Sequence, residues 1–205
     1  MNKNVLICCA KNKLNFDKFL NFSFIGVEGG AIDLLAKKVS PELFIADFDN
    51  VSEEEFDLIK KSGIETIVLN HNKDLLDGEE AIIEALKRGA ENITMVVSPT
   101  RRMDMNISHL HFIYQYNLKI ISDNSFLFKL NKGINEIDFN KYQDYKYISF
   151  ISKDNDTKIT LKNFLYNAND LDIANLSTWA FSNQFIPYQN GIVQSNNEII
   201  IIFSK

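Results

Sequence analysis

The N-terminal part of the chain alternates short apolar runs with amphipathic segments. The apolar runs are typical of buried strands and lie at 5–10, 24–28, 43–46, 65–69, 92–97 and 119–122. Segments with helical periodicity lie at 29–38, 52–62, 77–88 and 104–116. Ser52 and Glu55 have the spacing of a capping box, and Gly89 is a typical residue just beyond a helix. Strands that alternate with helices predict a Rossmann-like α/β fold, with a mostly parallel sheet flanked by helices.

Beyond about residue 123 the pattern changes to short β-type segments without a convincing long helix. These segments lie at 126–130, 147–152, 158–161, 178–181, 191–194 and 197–203. Runs of short strands predict an antiparallel β-sandwich. We therefore expect two domains, an α/β domain over 1–122 and a β-sandwich over 123–205. Because the second is small for a domain that folds alone, we expect it to pack on a partner surface.

Composition narrows the classes of function. The chain has 205 residues, of which 45% are hydrophobic, and a net charge of −5. Nucleic acid is not expected as the main partner, because phosphate binding requires a basic surface. The sequence contains neither a membrane span nor a signal peptide pattern, so we expect a cytoplasmic protein. Cys8 and Cys9 are neighbours and would point to opposite faces of a strand, so we expect no disulfide between them.

Acidic residues follow a predicted strand directly at Asp47 and Asp49. In an extended chain, residues two apart face the same way, so these two carboxylates can converge on one ligand. Open α/β sheets bind ligands at the carboxyl ends of their strands. Two carboxylates so close repel each other unless a cation lies between them, and Mg²⁺ carried by a nucleotide is the natural candidate. The alternative is an Asp-rich turn that starts a helix.

Further charged residues are expected at the same edge of the sheet. Asp74 and Asp77 precede the third helix, and either could bind a ligand or cap that helix. Arg101, Arg102 and Asp104 follow the fifth strand. Guanidinium groups suit phosphate, because their planar fork binds two oxygens. Asp104 could add a metal ligand or hold Arg102, and the alternative for this pair is a surface ion pair.

A glycine pair and three histidines complete the set of candidate positions. The segment 28–31 (EGGA) ends a strand and opens a helix, where the backbone can approach an anion closely. Neither the dinucleotide-binding glycine pattern nor the P-loop pattern is present. His109 and His111 are two apart on a helix and do not share a face. His71 is expected near the acidic edge of the sheet but is interpreted as a solvated loop residue.

The order of these segments resembles the thiamine pyrophosphokinase family. That family shows an Asp-Gly-Gly or Asp-Arg-Gly turn, then P-[DE]-x-x-x-G-D-[FL]-D-S, K-D-x-T-D and G-G-R-x-D-H, and a Ser-Asn pair in its C-terminal domain. The resembling segments here are EGGA at 28–31, PELFIADFDN at 41–50, KDLLD at 73–77, RMD at 102–104 and SN at 182–183. The resemblance covers nearly the whole chain, including the two-part layout.

The resemblance implies an activity, ligands and a site. The family transfers diphosphate from ATP to the hydroxyl of thiamine, and its members are homodimers whose sites are built from both chains. It implies that Mg²⁺ and the ATP phosphates are held by Asp47, Asp49 and Asp77. The hydroxyl proton would pass to a carboxylate such as Asp77 or Asp104. The candidate ATP and phosphate residues are Glu28, Gly29, Gly30, Asp74, Arg101 and Arg102, and those on the thiamine side are Ser182, Asn183 and Trp179. Trp179 could stack on an aromatic ligand ring or belong to the core.

Several positions depart from the family pattern. They are Glu28 for Asp, Asn50 for Ser, Leu76 for Thr, Thr100 and Arg101 for Gly-Gly, and Met105 for His. Side chains in place of the two glycines would crowd a backbone that approaches a ligand. Two other functions are therefore considered in addition to that of a thiamine diphosphokinase. One is a diphospho- or phosphotransferase for another hydroxylated acceptor, and the other is a non-catalytic protein that binds thiamine or nucleotide.

Overall fold

The computed structural model describes residues 1–72, 74–100 and 102–205. They form two compact units, Met1–Asp123 and Asn124–Lys205. The strands of the first unit are β1 (Asn4–Cys8), β2 (Ser23–Gly26), β3 (Leu43–Ala46), β4 (Thr66–Val68), β5 (Asn92–Val96) and β6 (Lys119–Ile121). Its helices are α1 (Gly29–Ala36), α2 (Glu53–Lys61), α3 (Asp77–Lys87) and α4 (Met103–Tyr116), with a 3₁₀ helix at Phe16–Phe19.

The strands of the first unit pair in parallel, in the order β4-β3-β2-β1-β5-β6. The chain runs outward from β1 to β4 and then crosses back to β5, on the other side of β1. Helix α1 packs against β1 and β2, and α3 packs against β1 and β3. The predicted parallel sheet flanked by helices is confirmed. The reversal of strand order puts a switch point between β1 and β5, where open α/β sheets bind their ligands.

The two sides of β1 face different parts of the core. Leu6 and Cys8 pack in a cluster with Leu34 of α1. Cys9 lies on the opposite side, 3.6 Å from where a Cβ on Gly78 of α3 would lie. Both cysteines are free, in agreement with the expectation that they point to opposite faces. Full burial of a leucine side chain contributes about 1.5–3 kcal/mol, so packing on both faces stabilises the position of β1.

The second unit is a sandwich of two antiparallel sheets. Its strands are β7 (Ser125–Leu130), β8 (Gly133–Ile137), β9 (Tyr147–Ile151), β10 (Lys158–Lys162), β11 (Ala168–Asp172), β12 (Gly191–Ser195) and β13 (Ile199–Ser204), with a short helix α5 at Phe139–Tyr142. One sheet contains β7, β13 and β9, and the other has the order β11-β10-β12-β8. Phe150 and Phe203 from the first sheet meet Ile159 and Val193 from the second in one buried cluster. The predicted antiparallel sandwich is confirmed.

Three segments of the second unit differ from the sequence prediction. The segment 178–181 is a turn rather than a strand, with the Phe181 N–H donating to the Thr178 carbonyl at 3.1 Å. Trp179 is 75% exposed there, so it is not a core residue of this unit. Strands β8 and β11 escaped prediction because both lie at sheet edges and carry polar side chains, which obscure the hydrophobic alternation. Among the described residues, no helix is long and apolar enough to cross a membrane.

Candidate active site

A cavity of about 340 Å³ opens at the switch point of the first unit. Its wall includes Cys9, Asp47 and Val97, which follow β1, β3 and β5, and Asp77 and Arg102 at the starts of α3 and α4. This volume is within the range of small-molecule sites. The cavity therefore lies where the strand order predicts a ligand site, beyond the carboxyl ends of the central strands.

Three carboxylates from distant parts of the sequence converge on this cavity. Oxygens of Glu28, Asp47 and Asp77 all lie within 4.8 Å of one another. They come from the end of β2, the end of β3 and the first turn of α3, and we call them the inner carboxylates. The structure thus brings Asp47 and Asp77 together, as the resemblance implies. It also places the Glu28 carboxylate beside them, whereas the resemblance implied that Glu28 contacts phosphate.

Glu28 is held with one carboxylate oxygen open to a ligand. Its Oε1 accepts the Phe48 N–H at 2.8 Å, whereas Oε2 is buried and accepts no hydrogen bond from any described residue. Its backbone has φ 49° and ψ −129°, a conformation that is costly for a residue with a Cβ. A buried, open oxygen beside two other carboxylates fits a hard divalent cation, because Mg²⁺ prefers oxygen ligands.

Asp47 and Asp49 converge through a turn rather than through an extended strand. Phe48 between them has φ 58°, so the prediction of an extended segment is wrong. The Phe48 ring is buried and lies 5.2 Å from the ring of Phe56. This packing anchors the turn and leaves ligand atoms of Asp47, Asp49 and His71 within 4.8 Å of one another. The following helix α2 is capped by Ser52 in a complete capping box, so Asp47 and Asp49 are not its caps.

Gly30 permits close contact between α1 and β1. A Cβ at this position would lie 1.9 Å from the Cys8 carbonyl oxygen. At Gly29 a Cβ would have no atom of the described residues within 4 Å. The second glycine is therefore required by packing of the helix on the strand, and this packing places Glu28 at the cavity.

Asp77 and Asp74 have different surroundings. Asp77 is the first residue of α3 and lines the cavity, while the N-cap position belongs to Leu76, which makes no side-chain cap hydrogen bond. Asp77 is therefore not the N-cap residue of this helix. Asp74 is exposed and is not among the described residues of the cavity wall. Lys73 and Arg101 lie outside the residues that the structure describes.

Arg102 and Asp104 form an exposed ion pair at the start of α4. Arg102 Nε lies 3.3 Å from Asp104 Oδ1, and the two side chains are 66% and 62% exposed. The guanidinium beside it lowers the pKa of Asp104 below its usual value. Such a pair contributes little to stability. Arg102 lines the cavity, whereas Asp104 is not brought to the inner carboxylates.

Helix α4 supplies a less polar wall that the sequence did not lead us to expect. Met105, His109 and Phe112 line the cavity, and burial lowers the pKa of His109. Burial therefore favours the neutral form of this imidazole. The sequence could have indicated this wall, because His109 is four residues after Met105 and Phe112 is three residues after His109. This spacing places the three side chains on one face of a helix.

A hydrogen bond links the first turn of α3, which carries Asp77, to the last residue of α4. Tyr116 Oη of α4 donates to Glu79 Oε1 of α3 at 2.8 Å. Burial and this hydrogen bond raise the pKa of Tyr116 to about 12. Glu79 lies in the first turn of α3, two residues after Asp77, so this contact holds the start of that helix against α4.

In the second unit, Ser182 and Asn183 have distinct roles in the fold. Ser182 is exposed, with φ 59°, and its N–H donates to Ser149 Oγ at 3.0 Å. Asn183 is 3% exposed, and its side-chain amide donates to the Tyr166 carbonyl at 2.7 Å and accepts the Tyr166 N–H at 3.0 Å. The Asn183 amide thus joins two loops, while Ser182 and the exposed Trp179 face solvent in this unit.

Glu28 should give the metal-free protein a pH-dependent stability. Burial, with the neighbouring Asp47 and Asp77 carboxylates, raises the pKa of Glu28 from 4.5 to about 7. Between these values the folded protein keeps a proton that the unfolded chain has lost. The free energy of unfolding should therefore fall as the pH rises through this range.

With a chelator present, Glu28→Gln should remove this part of the pH dependence. The measurement is urea unfolding at about pH 5 and about pH 8, with the exposed Glu53→Gln as the matched control. The control should keep the slope of the parent protein. A Glu28→Gln variant with an unchanged slope would show that Glu28 titrates normally in the folded protein.

Two family models match the chain over most of its length. The model described as "Thiamin pyrophosphokinase, catalytic domain" matches residues 17–122. The model described as "Thiamin pyrophosphokinase, vitamin B1 binding domain" matches residues 134–200. The first match contains the inner carboxylates and the described cavity wall apart from Cys9, and the second contains Ser182 and Asn183.

Individual relatives agree with these matches. The thiamine pyrophosphokinase of Bacillus subtilis (strain 168) is 28% identical over 169 residues, which are 80% of this chain and 78% of that protein. A crystal structure of thiamine pyrophosphokinase from Bacillus subtilis superposes with a TM-score of 0.86 at 23% identity, covering 98% of this chain and 99% of that one. A thiamin pyrophosphokinase family protein from Enterococcus faecalis gives 0.85 at 21% identity, covering 98% of each chain. These two structures share the fold.

Proposed function

This chain belongs to the thiamin pyrophosphokinase family, and on that premise we propose that it transfers diphosphate from ATP to the hydroxyl of thiamine. The products are thiamine diphosphate and AMP, and ATP is the co-substrate. The observation that carries this function is the convergence of Glu28, Asp47 and Asp77 at the switch point, within the catalytic-domain match. Transfer of this kind depends on positioning and charge neutralisation rather than on a covalent enzyme intermediate.

The carboxylates are proposed to hold a magnesium–nucleotide complex. Asp47, Asp49 and Asp77 are the proposed ligands, and the open Oε2 of Glu28 supports a fourth. When bound, Mg²⁺ would neutralise charge on the phosphate oxygens. The carboxylates repel one another without a cation, so their proximity is itself support for this assignment.

Arginine side chains at the start of α4 are proposed to contact phosphate. Arg102 lies on the cavity wall, and its guanidinium can exchange Asp104 for a phosphate group with the same planar geometry. Before nucleotide binds, Asp104 would act as a positioning residue that holds Arg102 at the cavity wall. Arg101, Asp74 and the backbone of Gly29 and Gly30 keep their proposed roles in ATP binding.

Removal of the hydroxyl proton is assigned to Asp77 rather than to Asp104. A bond forms between the thiamine oxygen and the β-phosphorus, and the bond from that phosphorus to the oxygen shared with the α-phosphate breaks, releasing AMP. The proton passes to a carboxylate at the reacting oxygen. Asp104 is exposed, and Arg102 lowers its pKa, so it accepts a proton poorly. Asp77 lies on the cavity wall among the inner carboxylates.

The thiamine side is assigned to the second unit of a homodimer. Ser182 and Trp179 are exposed near each other in sequence, and an exposed indole can stack on an aromatic ring. The buried amide of Asn183 supports the loop that presents them. Exposed apolar side chains of this unit, such as Tyr166 at 62%, support burial against a second chain. The two free cysteines support a cytoplasmic location.

An assay of nucleotide products tests the proposed reaction. Purified protein with thiamine, ATP and Mg²⁺ should form AMP and thiamine diphosphate in equal amounts, with no ADP above the background without thiamine. Release of ADP would indicate an ordinary kinase instead. A third outcome is that neither AMP nor ADP forms, while thiamine and ATP each raise the melting temperature of the protein. That outcome would identify a non-catalytic binding protein. Met105 on the cavity wall departs from the family pattern. The same assay is therefore repeated with other hydroxylated acceptors, and their turnover is compared with that of thiamine.

A further inference from the structure

The loop that leads from β5 into α4 is held by the side chain of Asn106. The amide oxygen of Asn106 accepts the Thr100 N–H at 3.1 Å, and the amide nitrogen donates to the Thr100 carbonyl at 2.9 Å. An asparagine amide carries both a donor and an acceptor, so one side chain satisfies both backbone groups of a single residue. The first turns of α4 are thereby tied to the loop that precedes them.

The backbone of Arg102 is bonded to the same two residues. Its N–H donates to Thr100 Oγ1 at 3.2 Å, and its carbonyl accepts the Asn106 N–H at 3.3 Å. Thr100, Arg102 and Asn106 therefore form a closed circuit of hydrogen bonds, which we call the Thr100–Asn106 network. Arg102 occupies the N-cap position of α4 and lines the cavity, so the network fixes the backbone of an arginine on the cavity wall.

Thr100 is one of the positions at which this chain departs from the family pattern, which has glycine there. A glycine has no hydroxyl to accept the Arg102 N–H, and its backbone has more conformational freedom than that of threonine. The threonine therefore makes a contact with the arginine backbone that a glycine could not make.

A fixed backbone matters at Arg102 because its side chain is 66% exposed. A long exposed side chain loses rotamer freedom when it binds phosphate, and freedom of the backbone would add to that cost. A backbone that is held in place before the nucleotide binds removes the second part of the cost. The expected consequence is tighter binding of ATP.

We propose that Thr100 and Asn106 are positioning residues for ATP, because they fix the backbone from which Arg102 reaches phosphate. The inference rests on the proposed function, in which Arg102 contacts the phosphates of ATP. It assigns to both residues an effect on KM for ATP rather than on kcat. An interaction that is equally strong in the substrate complex and in the transition state changes KM alone when it is lost.

The variant Asn106→Ala tests this network. Alanine has a higher helix propensity than asparagine, so α4 should be retained while both hydrogen bonds to Thr100 are lost. KM for ATP should rise about fivefold to tenfold, with kcat and KM for thiamine within about twofold of the parent. An unchanged KM for ATP with a lower kcat would indicate a purely structural role and overturn the inference.

Asn92→Ala is the matched control for Asn106. Asn92 is exposed at the start of β5, at the other end of that strand, and its side chain donates to Asn4 Oδ1 at 3.1 Å. This variant also loses an asparagine hydrogen bond, but it should keep the KM and kcat of the parent.

Thr100→Val and Thr100→Ser form a matched pair at the other position. Valine removes the hydroxyl that accepts the Arg102 N–H, whereas serine keeps it. Thr100→Val should raise KM for ATP about threefold, and Thr100→Ser should not. Equal KM values for the two variants would overturn the role of the Thr100 hydroxyl.

A double variant shows whether Asn106 acts through Arg102. In the Arg102→Ala protein, Asn106→Ala should raise KM for ATP no further, whereas effects that multiply would overturn the inference. If no thiamine diphosphate forms, calorimetry with ATP and Mg²⁺ gives the same comparison as binding affinities. Weaker ATP binding by Asn106→Ala in such a protein would sustain the inference and overturn the proposed function. Equal ATP affinities of the parent and Asn106→Ala would overturn the inference, even where diphosphate transfer proceeds.

Discussion

Asp47→Asn should lower kcat/KM for thiamine by at least about a thousandfold, which corresponds to about 4 kcal/mol of transition-state stabilisation. Asp47 is one of the inner carboxylates, and its side chain is only 11% exposed. Replacing one carboxylate oxygen by the amide nitrogen of asparagine removes negative charge at the point where the cation would bind. The rate of AMP formation at saturating Mg²⁺ and ATP measures the effect.

The same substitution should leave the metal-free protein at least as stable as the parent. Without a cation, and above about pH 7 where Glu28 is ionised, the Asp47 carboxylate lies close to those of Glu28 and Asp77 and repels them, so an amide of the same shape relieves that repulsion. Lost activity with unchanged or increased stability is the signature of a functional residue. Urea unfolding in the presence of a chelator measures the second quantity.

An exposed aspartate serves as the control for Asp47. Asp57 on α2 is 59% exposed and lies 3.7 Å from Lys60, so Asp57→Asn should change neither turnover nor stability appreciably. If Asp47→Asn retains most of the parent's activity, the carboxylates do not hold the nucleotide complex. If it unfolds instead, Asp47 is a structural turn residue.

Gly30→Ala should destabilise the protein by about 3 kcal/mol or more. The added Cβ would lie 1.9 Å from the Cys8 carbonyl oxygen and 2.4 Å from its carbon. Both atoms belong to the backbone of a central strand, so relief requires α1 to move away from β1. That movement would also displace Glu28, two residues earlier, so turnover should fall in whatever fraction remains folded. Urea unfolding and the AMP assay on the same preparation give both results.

Gly29→Ala is the matched control for this glycine. No atom of the described residues lies within 4 Å of the position that its Cβ would take, and Gly29 is the first residue of α1. Alanine in a helix is better than glycine by up to about 1 kcal/mol, so this variant should be neutral or slightly more stable. A Gly30→Ala variant as stable as Gly29→Ala would mean that the close approach of α1 to β1 is not required.

The sequence predicted the class of the fold because that class depends on local pattern. Apolar runs at strand spacing and amphipathic helices between them favour a parallel sheet, and closely spaced short strands favour a sandwich. The wrong strand predictions lie where the local hydrophobic pattern does not match the structure. The polar edge strands β8 and β11 went unpredicted, and the apolar turn at 178–181 was interpreted as a strand.

The composition of the site was only partly accessible from sequence. Acidic residues after parallel strands must lie at one edge of the sheet, which is why Asp47 and Asp77 could be grouped in advance. Which side chains converge there depends on backbone turns. Glu28 and Phe48 both have positive φ, a conformation that costs about 1–3 kcal/mol for such residues and persists only when surrounding contacts enforce it.

By itself, the sequence determined the order of the elements, the family and the edge of the sheet that carries the acids. Only the tertiary structure decided that Glu28 joins Asp47 and Asp77 and that Asp104 stays at the surface with Arg102. The reason is physical. Periodicity and motifs are properties of neighbouring residues, whereas distances between carboxylates of different strands are set by helix packing and strained turns that involve the whole unit.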